Sequence, residues 1–224
     1  MNFDYNEEQT LIKDSISRYL QNNYTLDNRR EYAQSANGFS KEHWAQYAEL
    51  GWLAIPFAEA LGGFGGDAIE DMLIMEELGR GLALEPFVDT IVLFGGTLAA
   101  SADAARFEQD IASLIAGDLQ GALAINEPGN RYALHQVATQ ARLDGDDYII
   151  RGEKIAVGNG SCAQRLIVSA RTAGEAADQA GISLFCIDTD ATGVNKQEFA
   201  LMDGHRAANF RFDDVRVSSK QLVG

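Results

Sequence analysis

Four glycines fall within five positions of "PFAEALGGFGGD", residues 56–67. Gly-rich runs that bare backbone N–H groups ahead of a helix are one way a chain cradles phosphate. A dinucleotide fingerprint also needs a strand before it, a third glycine in G-x-G-x-x-G, a helix after it and an acidic residue about 20 positions on. Gly63-x-Gly65 follows a helical stretch and has no third glycine at that offset. Residue chemistry alone therefore reads a helix-to-helix turn that uses glycine for unusual φ and close packing.

The other chemically capable side chains carry plainer readings. His43, His135 and His205 have no metal-ligand spacing. His43 reads as a solvated residue in a helix first turn, His135 as a strand neighbour and His205 as part of a loop before the last strand. Cys162 and Cys186 lack any CxxC context and read as small buried hydrophobes. Glu76 and Glu77 fit a solvated helix face, and Arg206 fits a surface ion pair with Asp203 or Asp213. Lys154 suits a stem laid along a sheet wall, and Asp144, Asp146 and Asp147 suit turn chemistry.

Positioning these residues falls to two unlike halves. Leu11, Ile12, Ile16, Tyr19 and Leu20 share one face of a helix that starts near Asn6. Ser40 caps a second helix, which Gly51 stops. Asp67 with Glu70 forms a capping box for a third, which ends at Gly79. Further helices are expected at about 87–100 and 103–116. After Gly117 the runs "GALAINE", "QVATQARLDG", "DYIIRGEKIAV", "RLIVSART", "ISLFCIDT" and "ANFRFDDVRV" are short and β-rich, with a hairpin turn expected at "LDGD", 143–146. The class is α+β: an α-helical bundle over 1–118, then an antiparallel β-barrel or sandwich over 119–224.

Composition excludes several functions. Hydrophobic residues make up 46% of the 224 and charged residues 23%, so a packed core is expected. No apolar run nears the ~18 residues that cross a bilayer. The start, "MNFDYNEEQT", has neither a basic nor an apolar leader region, which predicts no membrane association and a cytoplasmic location. A net charge of -15 without a basic stripe argues against nucleic acid.

Four collinear stretches carry a resemblance that covers essentially the whole chain. "GWLAIPFAEALGGFGG" followed by "IMEELGRG", then "ALAINEPG", "LDGDDYIIRGEKIAVGNG" and "FRFDDVRV", resemble the N-terminal and middle domains of acyl-CoA dehydrogenases. The resemblance implies α,β-desaturation of an acyl-CoA thioester: a carboxylate base removes the α-proton, and FAD takes the β-hydrogen as hydride. An electron-transferring flavoprotein is the implied acceptor. It places Leu123, Ile125, Asn126, Ala156, Val157 and Gly158 at cofactor-facing positions, and Gly129, Asn130 and Arg131 at acyl-CoA-facing ones. In relatives a C-terminal helical domain follows the barrel and supplies the base, so no catalytic residue is assigned within these residues.

Two motifs depart from the family pattern. Thr-Glu-Pro-Gly-x-Gly-Ser-Asp is here Asn126-Glu127-Pro128-Gly129-Asn130-Arg131-Tyr132, and the aromatic-x-Thr segment that packs on the flavin ring is Ala156-Val157-Gly158. Loss of an aromatic wall and a hydroxyl donor weakens the expected hold on FAD by several kcal/mol. Three readings stand: one subunit of a mixed two-subunit dehydrogenase of the type that shortens steroid and other large acyl chains, a self-sufficient homo-oligomer with a widened site, or a non-catalytic acyl-CoA-binding scaffold.

Overall fold

A computed structural model describes residues 4–224; the first three residues of the N-terminal stretch, read for a leader region in the sequence, lie outside the described residues. α1 (Glu7–Asn23) opens on a complete capping box, in which Asn6 Oδ1 accepts from Gln9 N at 2.8 Å and Gln9 Oε1 from Asn6 N at 3.0 Å. α2 (Leu26–Gln34) was not expected. It buries no residue, so it lacks the apolar stripe that periodicity detects. Ser40 caps α3 (Lys41–Glu49) as expected, and Asp67 caps α4 (Ala68–Arg80), which runs one residue past Gly79.

The glycine turn lies between α3 and α4, and its donors are occupied. Gly63, Phe64, Gly65 and Gly66 donate their N–H groups to the carbonyls of Ala58, Ala54, Phe57 and Ile55 at 2.8–3.1 Å. A Cβ on Gly63 would overlap the Phe57 carbonyl, and Gly65 sits at φ +73°. This is a close-packed turn, with no ring of free N–H groups for a phosphate.

The stretch expected as a helix at 87–100 is a π-helical segment, Val88–Gly95, continued by α5 (Gly96–Ala99). That at 103–116 is a 3₁₀ turn, Ala104–Phe107, followed by α6 (Glu108–Ile115). These helices close on a core that includes Trp44, Tyr47, Trp52, Phe57, Phe94 and Ile111, and Leu123, Ile167 and Cys186 of the sheet pack into the same cluster. The two halves thus share one apolar contact.

Among the described residues seven strands follow: β1 (Gly121–Ala124), β2 (Gln140–Asp144), β3 (Asp147–Gly158), β4 (Arg165–Arg171), β5 (Ile182–Asp188), β6 (Val194–Ala200) and β7 (Arg206–Ser218). They form one curled sheet in the order β1-β4-β2-β3-β7-β6, with β5 on β4. The expected α+β layout is therefore present, and one detail of the expected barrel is corrected. The sheet is mixed: β1 runs parallel to β4, and β2 meets β4 in parallel at Gln140 and Arg171, while the other pairings are antiparallel. The reason is the 15-residue excursion between Ala124 and Gln140, which is long enough to carry the chain away from β1 without a hairpin. The β2–β3 turn lies one residue beyond the expected position, since Asp144 pairs with Asp147 and leaves Gly145-Asp146 as the loop. The inner face is filled by Ile150, Leu166, Val168, Phe185, Phe210 and Phe212. Among the described residues no helix is long and apolar enough to cross a membrane.

Candidate functional site

The excursion after β1 is anchored by one side chain. Glu127 accepts from Lys154 Nζ of β3 at 2.6 Å, from Ala138 N at 2.7 Å and from Thr139 N at 3.1 Å, while Lys154 also donates to Ser169 Oγ of β4 at 2.8 Å. Lys154 is 0% exposed and Glu127 4%. Burial opposes ionisation of Glu127, but the Lys154 hydrogen bond, the backbone donors and the neighbouring charge outweigh it and hold its carboxyl below the usual range. Lys154 thus buries its charged end as well as the stem that its sequence position suggested.

This anchor brings the loop after β1 against the end of β3. Ile155 N donates to the Asn126 carbonyl at 2.9 Å. The β3–β7 register then slips between Lys154 and Val157, and Ala156 adopts φ +51° with its N–H held by Asn209 Oδ1 at 2.9 Å. A bulge of this kind re-aims the side chains on the strand beyond it. Asn126 and Ala156 are exposed and Gly158 is half-buried, whereas Val157 points into the barrel core and Leu123 packs toward the helices. Ile125 is half-buried, and its carbonyl accepts from Asn130 Nδ2 at 3.4 Å. Asn130 Oδ1 also accepts from Glu127 N at 3.1 Å, so this side chain shapes the loop, while Gly129 and Arg131 stand exposed beside it.

Sequence reasoning missed the neighbour across from Gly158. Asp89, in the first turn of the π-helical segment, places its carboxyl where a Cβ on Gly158 would stand. The adjacent residues lock this approach: Asn159 Nδ2 donates to Thr90 Oγ1 and Gln120 Oε1, each at 3.0 Å, in a fully buried network. Burial raises the Asp89 carboxyl above its usual range, His205 opposes that and Asp203 adds to it. Asp89 and His205 line a cleft of about 190 Å³ with Met75, Leu78, Pro86 and Phe87. No spacing rule links residues 89 and 158, which is why periodicity was silent about them.

Several polar residues differ from their sequence readings. His43 is buried, with Nδ1 2.6 Å from Tyr19 Oη and Nε2 3.2 Å from Tyr32 Oη, because α1, α2 and α3 converge on it. Glu77 is buried, whereas Glu76 is exposed and pairs with Arg80 at 2.8 Å. Arg206 donates to the Ala33 and Ser35 carbonyls, not to Asp203 or Asp213, and so ties β7 to the end of α2. His205 takes Asp203 at 3.2 Å, and Arg211 takes Asp213 at 2.8 Å. Cys186 is buried and Cys162 partly so, both as free thiols.

The acyl-CoA dehydrogenase N-terminal domain model matches residues 6–110 and the middle domain model matches residues 122–215. The chain belongs to the acyl-CoA dehydrogenase family. The acyl-CoA dehydrogenase FadE12 of Mycobacterium tuberculosis is 29% identical over 228 residues, which take in 99% of this chain and 58% of that protein. The mitochondrial long-chain specific acyl-CoA dehydrogenase of Rattus norvegicus is 30% identical over 230 residues, 98% of this chain and 52% of that protein. The chain therefore spans 52% and 58% of the lengths of these two relatives. Among solved structures, the Tcur3481-Tcur3483 steroid ACAD superposes with TM-score 0.86 at 26% identity, covering 100% of this chain and 59% of that one. The ChsE4-ChsE5 complex from Mycobacterium tuberculosis gives TM-score 0.88 at 23% identity, covering 100% and 58%, a likeness of fold.

The family uses FAD, and the residues present fit such a group in frame more than in grip. The loop at Asn126 and the bulge at Ala156 lie side by side with exposed faces, held by the buried Glu127–Lys154 pair. No aromatic wall stands at Ala156, and the polar group beside Gly158 comes from Asp89.

Proposed function

We infer that this chain forms part of an acyl-CoA dehydrogenase that desaturates an acyl-CoA thioester, and that it does so as one subunit of a hetero-oligomeric enzyme. The observation that carries this reading is an intact frame with altered facing residues. Glu127, Lys154 and the bulge keep the loop and strand in place, while Ala156 and Gly158 stand where the family pattern has an aromatic and a threonine. A site whose scaffold persists after its ring contacts have thinned suits a chain that works beside a fuller flavin subunit.

Bound FAD would supply the hydride acceptance that desaturation needs. Within this chain, the exposed Asn126 side chain and the bulged segment 156–158 are what would face its ring. Gly129 and Arg131 would meet the acyl-CoA, whereas Asn130 would hold their loop in shape. Small residues at 156 and 158 leave room for a large or branched acyl group, steroid side chains included, and the Tcur3481-Tcur3483 steroid ACAD supports that direction. An electron-transferring flavoprotein is the acceptor that this reading implies.

The test is the visible spectrum and subunit composition of the protein purified from its own cells. A flavin band bleached by an acyl-CoA, together with a second dehydrogenase-like chain, is the expected result. A fully flavinated, active homo-oligomer would overturn the mixed assembly. Colourless protein indifferent to CoA esters would overturn the dehydrogenase and favour a scaffold.

A further inference from the structure

Asp89 is a half-buried carboxyl with no hydrogen bond or ion pair among the described residues, and it fills the space beside the one cofactor-facing position that has lost its side chain altogether. Its place is fixed through the residue that follows it. The next residue, Thr90, accepts from Asn159, the residue after Gly158, and Thr90 Oγ1 also lies 3.1 Å from the Gly121 carbonyl at the start of β1. The π-helical turn on which Asp89 sits is a rare conformation, concentrated where a helix must re-aim a side chain at a site. We propose that Asp89 and residue 158 are an exchange pair, in which the Asp89 carboxyl is the hydrogen-bonding group that this chain presents to a flavin ring in place of a residue-158 hydroxyl.

The pairing is sterically exclusive. A side chain at 158 and the observed Asp89 carboxyl cannot share the space, so a threonine there displaces the acid by turning it about χ1. His205 and Asp203, on the loop before β7, are the charged or titratable groups that act on Asp89, with opposite signs. The inference rests on the proposed dehydrogenase function.

The experiment titrates FAD into the deflavinated protein, taken with the chains that accompany it, and records its thermal unfolding without ligand. Asp89→Ala is expected to weaken FAD binding about tenfold, the scale of one lost hydrogen bond, with the unfolding midpoint little changed. Asp89→Asn, whose amide keeps a hydrogen-bonding oxygen and can also donate, should bind close to wild type. Gly158→Thr in the Asp89→Ala background should recover most of the loss. Asp89→Ala binding FAD like wild type, or a double variant no better than Asp89→Ala, overturns the exchange pair while leaving the dehydrogenase reading intact. Wild-type protein with no measurable affinity for FAD overturns both.

Discussion

Lys154 Nζ and Glu127 Oε1 stand 2.6 Å apart, 27 residues apart in sequence, with neither side chain in appreciable contact with solvent. The pair joins the loop after β1 to the middle of β3, so it holds the candidate site together as much as it stabilises the sheet. Removing one partner of a buried pair leaves a charge that nothing compensates, at a cost of roughly 3–5 kcal/mol. Lys154→Met should lower the urea midpoint accordingly. Adding Glu127→Gln should return part of the loss, since two neutral groups are cheaper to bury than one stranded charge. A double-mutant cycle showing additive losses would rule out the coupling.

The acid response of the protein should carry two opposed contributions. Glu127 is held low in the folded state, so its stabilisation is present above the unfolded carboxylate value, about 4.3, and is lost as pH falls through the folded one. Glu85 behaves oppositely. Burial raises it despite hydrogen bonds from Ser40 N at 3.2 Å and Tyr47 Oη at 3.3 Å, so its contribution is full below the unfolded value and is lost as pH rises through the folded one. Glu85→Gln should therefore raise stability at pH 8 relative to wild type by more than at pH 5. Equal shifts at both pH values would contradict this assignment.

The glycine turn gives a contrast within 16 residues. Gly63→Ala sets a Cβ against the fixed Phe57 carbonyl and should cost about 3 kcal/mol as overpacking against backbone. Gly79→Ala, in the last turn of α4 with nothing within 4 Å of the new Cβ, should stabilise by roughly 0.5–1 kcal/mol. Thermal unfolding of the two variants decides the matter, and a Gly63→Ala protein as stable as wild type would show that the turn is loosely packed.

Cys186 should be inert. Burial pushes its thiol up to about 12, against the pull of Arg165, so almost no thiolate exists at pH 8. Burial also raises Cys162, whose Sγ lies 3.2 Å from the Asn37 carbonyl. Native protein should resist a thiol reagent at pH 8 and take up two equivalents once unfolded; rapid labelling of the folded protein would disprove the packing of both.

The sequence by itself determined the features that are local. Helix starts at Asn6, Ser40 and Asp67 were legible because a capping residue acts within three positions of its partner, and the division into helices and strands was legible because each has its own period. The family resemblance implied a shared cofactor-facing role for Asn126, Ala156 and Gly158, and the fold sets the Asn126 carbonyl against Ile155 N. Tertiary structure alone decided what depends on contact between distant segments. α2 has no apolar stripe to announce it, and β1 met β4 in parallel because the connection between β1 and β2 is not a hairpin. His43 became buried only when three helices closed over it. Asp89 reached Gly158 across 69 residues through a network of Thr90, Asn159 and Gln120, a juxtaposition set by packing of the helical half on the sheet and written in no local spacing.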